Sequence, residues 1–590
     1  MTPFAPTTEE HVEIAPRARW STPRLLWAGL VVGICLIAGI AATWPLALYL
    51  PQAMPMGTER EATVPLFNLW TLWWNADRLL HGFARYWDAP IFYPNPGTFT
   101  FSEPQPLTGL LAAPLWYLGA PLALIYNLAL LTLLTLNGVF AYRLARALEI
   151  PAPAALLAGA LTVTLPFVAK IAGVLQLTAL FGMLWTIEGL VRFGRAGTTR
   201  WAIWAALGFV ATYLTCQQYA LMFTPFAAAG GLVALAQQRF QQGALLRLIP
   251  AGVGAALLVL LIAFPALNLQ RELGLSRPET VVQALSARPA DFLTRPDNAL
   301  VPIPPISMED TAGLFPGLIL TVLAAAGIVR GVRDAQQRRW TIFLAASTAA
   351  ALLLALGLNL SLAGWQPFAT LRALVPGFSS LRSPFRFAAI MQLFLPILAA
   401  LALTNLRSVG ARGGLALLLG AGLLGAVENL SSQGGLVPMP PNAQNGWTAW
   451  LRDQPDTTVV AHIPFPAGLH VAAYESETWR MLGQMEHHKP IVNGYSGYFP
   501  QIKGPNGEIV PVYTQFQSMM AERFPDYVGL CTLNKGLGVN TLVVDRQWLA
   551  QHSAQMAEHS AFLQPAYDDD QVQIYRLAAP EGECQARQQP

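Results

Sequence analysis

Long apolar runs separated by short, arginine-rich polar segments make up the first 430 residues. The first is Leu25–Leu50. Others lie near 119–142, 152–169, 174–191, 201–217, 219–237, 248–268, 312–329, 340–361, 388–406 and 413–429. A helix needs about 20 apolar residues to cross a bilayer core, so the pattern predicts about eleven transmembrane helices. The boundary between 201–217 and 219–237 is loosely fixed. The run 107–118 is short and contains Pro114, so it reads as re-entrant or as the start of the second span. Leu25–Leu50 is too long for a signal-peptide core and lacks a convincing small-residue cleavage site, which makes it an uncleaved first helix.

Beyond residue 430 the periodicity changes. Thr457–Phe465, Thr541–Asp545 and Val572–Tyr575 read as strands, and 511–523 and 546–560 as helices. The expected fold is therefore a polytopic α-helical membrane protein with a C-terminal α/β domain. Its expected parts are an N-terminal tail 1–24, a transmembrane domain 25–430 with a large first outer loop 51–106, and a domain 431–590. The Gly- and Pro-rich stretch 432–443 serves as a linker.

Composition sharpens this reading. Of the 590 residues, 54% are apolar and 12% charged, and mean hydropathy is +0.42. Soluble domains carry roughly 25% charged residues. So apolar a surface needs lipid, which excludes a soluble enzyme, a nucleic-acid module or a disordered chain as the main reading. The net charge of +3 matters less than its distribution. With the N-terminus in the cytoplasm, alternate connections hold Arg143 and Arg146; Arg192, Arg195 and Arg200; Arg239 and Arg247; Arg330, Arg333, Arg338 and Arg339; Arg407 and Arg412. Their acids are Glu149 and Asp334 alone. Loop 51–106 instead holds Arg60, Arg78 and Arg85 against Glu59, Glu61, Asp77, Asp88 and Glu103, and loop 270–311 holds four arginines against six acids. This is the positive-inside pattern. An odd number of spans puts 431–590 outside the cytoplasm, and a multi-pass protein of the cell's inner membrane is expected. In that setting Cys531 and Cys584 are candidates for a disulfide. Cys35 and Cys216 lie in apolar runs and read as packing residues.

Candidate chemistry concentrates in the first outer loop. On a helix, Leu66, Leu69, Trp70, Trp73 and Leu80 share one face. Its three tryptophans suit a helix lying on the outer membrane surface, or packed within the loop. The acids Glu59, Glu61, Asp77, Asp88 and Glu103 gather at one interface, where a carboxylate can act as a general base on a hydroxyl; solvation or capping is the plainer role for any one of them. Loop 363–387 is the complement: Arg372, Arg382 and Arg386, with no acid. Guanidinium groups bind phosphate bidentately, and at a lipid surface they also snorkel to ordinary headgroups. Within the spans, Gln176, Gln217, Gln218 and Glu188 are polar groups suited to a functional site or to helix–helix hydrogen bonding. His487 and His488 are adjacent and lack further ligands, so no metal is expected there. No P-loop, GxGxxG, HExxH or GxSxG motif is present in the required context.

The segments PLFNLWTLWWN (65–75), IFYPNPG (91–97) and Phe101-Ser102-Glu103 together resemble the first outer loop of bacterial GT-C-type membrane glycosyltransferase-like proteins. LRSPFRF (381–387), His462–Pro466, NGYSGYFP (493–500) and Gly536–Asp545 are similar to the same group. The resemblance implies a multi-span enzyme that takes a sugar from a polyprenyl-phosphate donor at the outer face, usually with inversion. A first-loop carboxylate serves as base, basic residues bind the donor phosphate, and some members need a divalent metal. It implies Asp88, Glu103, Glu61 and Glu59 as catalytic candidates and Arg382, Arg386 and Arg372 as phosphate ligands. No cofactor is expected. Partners would be membrane lipid, the lipid-linked sugar and a protein bound through the C-terminal domain. One departure stands out: an aspartate is expected just before PLFNLW, and Thr63 and Val64 stand there. A catalytically inactive scaffold or accessory subunit is therefore the alternative. A transporter is disfavoured, because the halves show no symmetry.

Overall fold

The computed structural model describes residues 22–584 apart from 275, 302, 304–310, 405–409, 433–434, 469 and 504–508. Arg17 and Arg19 of the expected N-terminal tail, and Arg407, lie outside the described residues.

Every predicted apolar run contains helix. After α1 (Thr22–Ala42) come the first-loop helices α2 (Thr63–Leu80) and α3 (Pro106–Tyr117). The bundle continues with α4 (Leu122–Ala147), α5 (Ala152–Val163), α6 (Pro166–Lys170), α7 (Phe181–Ala196), α8 (Thr199–Thr215), α9 (Gln217–Gln237) and α10 (Gln242–Glu272). It is completed by α11 (Glu279–Ala284), α12 (Leu318–Arg333), α13 (Arg338–Ala355), α14 (Pro367–Leu374), α15 (Phe387–Leu393), α16 (Leu395–Ala402) and α17 (Gly410–Asn429). Among the described residues, 7 helical segments are long and apolar enough to cross a membrane: α1, α4, α5–α6, α7 with the turn before it, α9, α10 and Pro384–Ala402. Helices α8, α12, α13 and α17, each predicted as a span, fall below that standard. The chain is a multi-pass membrane protein. The run 107–118 is α3, a separate 12-residue helix packed on α2 and α4.

Two spans are broken at proline. Pro166 separates α5 from α6, and Pro396 follows the break between α15 and α16. A freed backbone group in an apolar interior needs a partner. Gln392 supplies it for the first break, accepting from the Phe167 N–H at 3.0 Å and donating to the Leu314 carbonyl at 3.0 Å. Asn137 does the same before α7: it donates to Thr178 O at 2.7 Å and accepts from the Leu180 N–H at 2.8 Å.

The arginine-rich connections meet at one end of the bundle. There Arg195 pairs with Glu149 at 2.8 Å, and Arg247 donates to Gly197 O at 2.8 Å. Glu188 is fully buried near this end. It accepts from Arg143 (2.9 and 3.0 Å), Arg192 (2.8 Å) and the Trp204 indole (3.3 Å), so its charge is spent on holding α4, α7 and α8 together.

The opposite end carries the first loop and the C-terminal region. The latter contains α18 (Gly446–Arg452), α19 (Glu475–His487), α20 (Tyr513–Arg523), α21 (Tyr527–Cys531) and α22 (Arg546–Glu558). Strand β1 (Ala53–Pro55) of the first loop pairs antiparallel with β2 (Leu436–Pro438), so the expected linker is itself tied to the membrane part. The strands β3 (Val460–Ile463), β4 (Gln501–Lys503), β5 (Ile509–Val512), β6 (Thr541–Asp545), β7 (Leu563–Asp568) and β8 (Val572–Leu577) follow. A four-stranded sheet has the order β3-β6-β8-β7, parallel between β3 and β6 and antiparallel elsewhere. Strands β4 and β5 form a separate antiparallel pair. Cys531 and Cys584 are disulfide-bonded.

The first loop differs from expectation. Helix α2 does not lie on lipid: Leu66, Leu69, Trp70, Trp73 and Trp74 are all buried, while Leu80 is exposed. The reason lies in its other faces. Phe67, Leu72 and Ala76 widen its apolar surface, and its polar stripe, Asn68, Thr71 and Asn75, is buried too and hydrogen-bonded within the protein rather than to water. Helix α19 covers it, with the Trp70 indole donating to Gln484 Oε1 at 3.1 Å.

Candidate active site

The segments that carry the resemblance interlock. Phe92 N–H donates to Asn493 O (3.1 Å), Tyr93 N–H to Ile491 O (2.9 Å) and Tyr498 N–H to Phe101 O (2.9 Å). Asn493 also exchanges two hydrogen bonds with the His462 backbone. Thus 91–101, 462–466 and 493–500 form one wall at the end of the bundle.

Glu103 enters this wall from the first loop. Its two carboxylate oxygens accept the backbone N–H groups of Gln217 and Gln218, each at 2.9 Å, at the first turn of α9. A helix N-terminus presents unpaired N–H groups and a partial positive charge, and a carboxylate meets both. Burial pushes the Glu103 pKa up, against the opposing pull of those N–H groups and of Arg386. The Gln218 side chain accepts from Arg386 Nη1 at 2.5 Å. Glu103 therefore fixes α9, and α9 fixes Arg386.

The other guanidinium groups converge on the same place. Arg277, from the segment between α10 and α11, donates to Gly497 O at 2.6 Å and lies 3.5 Å from the centre of the Tyr498 ring. Arg372 donates to the Arg277 carbonyl at 3.0 Å. Arg382 lies within electrostatic reach of both Arg277 and Arg386. Burial, with repulsion from Arg382 and Arg386, lowers Arg277 to about 10, against a raising pull from Tyr498, and it stays charged at neutral pH. The buried Nε atoms of Arg277, Arg372 and Arg386 have no hydrogen-bond partner among the described residues. Buried donors are normally satisfied. Three guanidinium groups with spare donors in one place have the chemistry of a phosphate site.

The first-loop acids separate. Asp88 is exposed and accepts the Gly97 N–H at 2.8 Å, closing the Pro94–Gly97 turn. Glu61 is half-buried. Glu59, also half-buried, lies within electrostatic reach of Tyr495, and Tyr495 is itself within reach of Arg382, Arg386 and Arg277. A backbone lock holds Glu59: Thr58 N–H donates to Lys170 O at 2.9 Å. Gly57, at φ +62°, lies so close to the 170–173 turn that a Cβ there would be 2.5 Å from Lys170 O. Six residues before Pro65, Glu59 thus acts on the same tyrosine as the arginines.

Beside these groups runs a polar chain, with Gln105 Nε2 donating to Asn68 Oδ1 (2.6 Å) and to Gln176 Oε1 (3.3 Å). His487 is buried and accepts the Lys489 N–H at 3.0 Å. Among the described residues no group of three His, Cys, Asp or Glu side chains could hold a metal ion. Arg277 is the member of this cluster that no motif singled out, while Tyr495 and Tyr498 lie in the segment NGYSGYFP (493–500), to which no site role was assigned. Arg277 is one of the four arginines counted in an outer loop, and nothing in its neighbours marks it.

Among solved structures, the chain is similar to the arabinofuranosyltransferase AftD from Mycobacteria. One cryo-EM class of an AftD mutant matches 94% of this chain and 42% of AftD, with a TM-score of 0.53 and 16% identity. A second class of that mutant gives 0.52 over 94% and 41%, also at 16% identity. The fold is GT-C-like. At this identity the likeness is one of fold, and the chain spans about two-fifths of the AftD structure. No family model matches the sequence, and no curated protein sequence does.

Proposed function

We propose that the chain is a membrane glycosyltransferase that moves a sugar from a polyprenyl-phosphate donor to an acceptor hydroxyl on the extracytoplasmic face. The observation that carries this reading is the convergence of Arg277, Arg372, Arg382 and Arg386 with Glu103 and Gln218 at the end of a GT-C-like bundle. The arginines hold the donor phosphate. Glu59 takes the proton from the acceptor hydroxyl, whose oxygen attacks the anomeric carbon. The sugar–phosphate C–O bond breaks and polyprenyl phosphate leaves, its charge held by the arginines. Glu103, with both oxygens engaged, positions Gln218 and Arg386. Asp88 shapes the turn that leads to Phe101. The arginine-rich opposite end supports a cytoplasmic N-terminus, and the Cys531–Cys584 disulfide supports an oxidising, extracytoplasmic setting for the C-terminal region.

The test uses the full chain in nanodiscs with radiolabelled polyprenyl-phosphate-linked hexoses and pentoses, arabinofuranose among them. Glu59→Gln should lower transfer by about 10²-fold or more, the worth of a general base, with lipid-phosphate binding retained. Replacing Arg382 and Arg386 by Ala should abolish binding. Full transfer by Glu59→Gln would reject Glu59 as base. Lipid-phosphate binding by the wild type with no transfer from any donor would favour the second reading, an inactive scaffold. The presence of Thr63 and Val64 where an acid is expected speaks for that reading.

A further inference from the structure

The arginine cluster is not built by the membrane helices alone. The segment Tyr495–Tyr498 of the C-terminal region reaches into it. The Gly497 carbonyl accepts from Arg277 at 2.6 Å, and the Tyr498 ring underlies the same guanidinium at 3.5 Å. Two close approaches fix this segment against the first loop. A Cβ on Gly494 would be 3.0 Å from the Phe92 ring, and one on Gly497 would be 2.9 Å from Phe101 O. Tyr495 lies between them. Its ring meets Phe67 of α2 edge-on at 5.5 Å and Tyr474 at 5.7 Å, which sets its direction. The ring is half-buried, and its hydroxyl has no hydrogen-bond partner among the described residues. Arg382, Arg386 and Arg277 lie within electrostatic reach of it, and so does Glu59.

We propose that the C-terminal region completes the anion site, with the Tyr495 hydroxyl donating a hydrogen bond to the phosphate that Arg277, Arg382 and Arg386 hold. This rests on the donor-phosphate reading above. A phenol suits such a contact because it is a neutral donor on a rigid ring, and its hydrogen bond to a phosphate oxygen is charge-assisted. Tyr498 is a positioning residue that acts through Arg277. The recognised chemistry is a phosphate group, whether on a polyprenyl chain or free.

The full chain in nanodiscs is titrated with polyprenyl monophosphate, with the uncharged polyprenol, and with inorganic phosphate. Tyr495→Phe keeps the ring contacts and removes the donor. It should weaken polyprenyl monophosphate about tenfold, the worth of one hydrogen bond to a charged group. Polyprenol binding and melting temperature should not change. A parallel loss for inorganic phosphate would support the role of Tyr495 and identify phosphate alone as the recognised group. Wild-type affinity of Tyr495→Phe for the lipid phosphate would overturn the proposal and leave the donor reading standing. Failure of the wild type to bind either phosphate would overturn both. Binding lost in Tyr495→Phe, with no sugar transferred by the wild type, would uphold the Tyr495 contact while rejecting the transferase.

Discussion

Gly57 is the position where a single methyl group tests the link between backbone packing and the proposed chemistry. In Gly57→Ala two penalties add. The left-handed φ of +62° costs an L-residue about 1–2 kcal/mol. The new Cβ would lie 2.5 Å from Lys170 O and 2.8 Å from Ala172 N, where ordinary contact begins at 3.4 Å. Both neighbours are backbone, so no rotamer change relieves the clash. Overpacking of this kind costs about 1–3 kcal/mol, and together the terms reach roughly 2–5 kcal/mol. The relief available is a shift of about 1 Å in the turn that carries Thr58 and Glu59. A misplacement of about 1 Å in a reacting group lowers rate by about 10²-fold. Thermal unfolding of the purified chain should therefore show a clear loss of stability. The variant still folded at low temperature should show kcat down about a hundredfold, with polyprenyl monophosphate affinity unchanged. Gly173→Ala attacks the same lock from the other side: its Cβ would press on the Met56 carbonyl oxygen more closely than the Gly57 Cβ on Lys170 O, and lie 3.1 Å from Glu59 Cγ, without a positive φ. It should reproduce the kcat loss with a comparable loss of stability, the tighter clash standing in for the missing backbone strain. If both variants turn over at the wild-type rate, Glu59 is not the base and the lock has no bearing on catalysis.

Glu188→Gln removes the charge that three donor side chains share and leaves Arg143 and Arg192 facing a neutral group; breaking a buried pair costs about 3–5 kcal/mol. Thermal unfolding should record this loss with transfer per folded molecule unchanged, and loss of transfer at unchanged stability would instead mark Glu188 as functional. Replacing Cys531 and Cys584 by Ser opens a cross-link with a sequence separation of 53, worth about 4 kcal/mol at most in the chain-entropy account, and proteolysis of the C-terminal region should accelerate. In intact cells a membrane-impermeant maleimide should label the wild-type pair after external reduction alone; labelling without reduction would contradict the disulfide, and labelling only after the membrane is permeabilised would contradict the outer placement. Thr63→Asp, which restores the acid expected before Pro65, should not raise transfer. It would set a carboxylate in a buried position against the Val471 carbonyl and close to Glu475, at a cost of about 3 kcal/mol or more, measurable as a lowered melting temperature.

The helices were legible because bilayer burial writes itself into long apolar runs, and Thr541–Asp545 was legible because a short strand of buried Leu and Val has few other readings. Hydropathy located the segments 152–169 and 388–406 but not their breaks. Pro166 and Pro396 stand within them, yet a proline in a span is tolerated where another side chain takes up the freed backbone group, and only the fold shows Gln392 doing so. The reading of α2 failed for a related reason. A tryptophan-rich face fits a headgroup layer and a protein interface equally well, and what decides is where the remaining polar groups find partners. Asn68 and Asn75 find theirs in Gln105, Tyr86 and Pro104 rather than in water, and α19 closes over the helix. Strand β7 went unread because Leu563–Asp568 mixes proline, glutamine and aspartate at an edge of the sheet, where pairing with β8 rather than burial holds it.

For the site, residue type was readable and position was not. Arg382 and Arg386 were marked by an acid-free loop opening onto a span, a signal that survives because unpaired guanidinium groups beside lipid need a reason. Arg277 carried no such mark, since its loop contains acids enough to neutralise it on paper; it joins the cluster through Gly497 and Tyr498, more than two hundred residues away in sequence. The acids show the converse. Asp88 and Glu103 stand where the resemblance wants them, yet one caps a turn and the other caps α9. Thr63, where the missing aspartate is expected, is itself engaged by the C-terminal region: its hydroxyl donates to Val471 O, and the neighbouring Ala62 N–H is taken by Glu475. The C-terminal region thus occupies the side of α2 that an acid at 63 would have to use. On the proposed mechanism a base from this loop then comes from the turn before α2, and Gly57 and Gly173 are the residues that let that turn pack closely against residues 170–173 and hold Glu59 there.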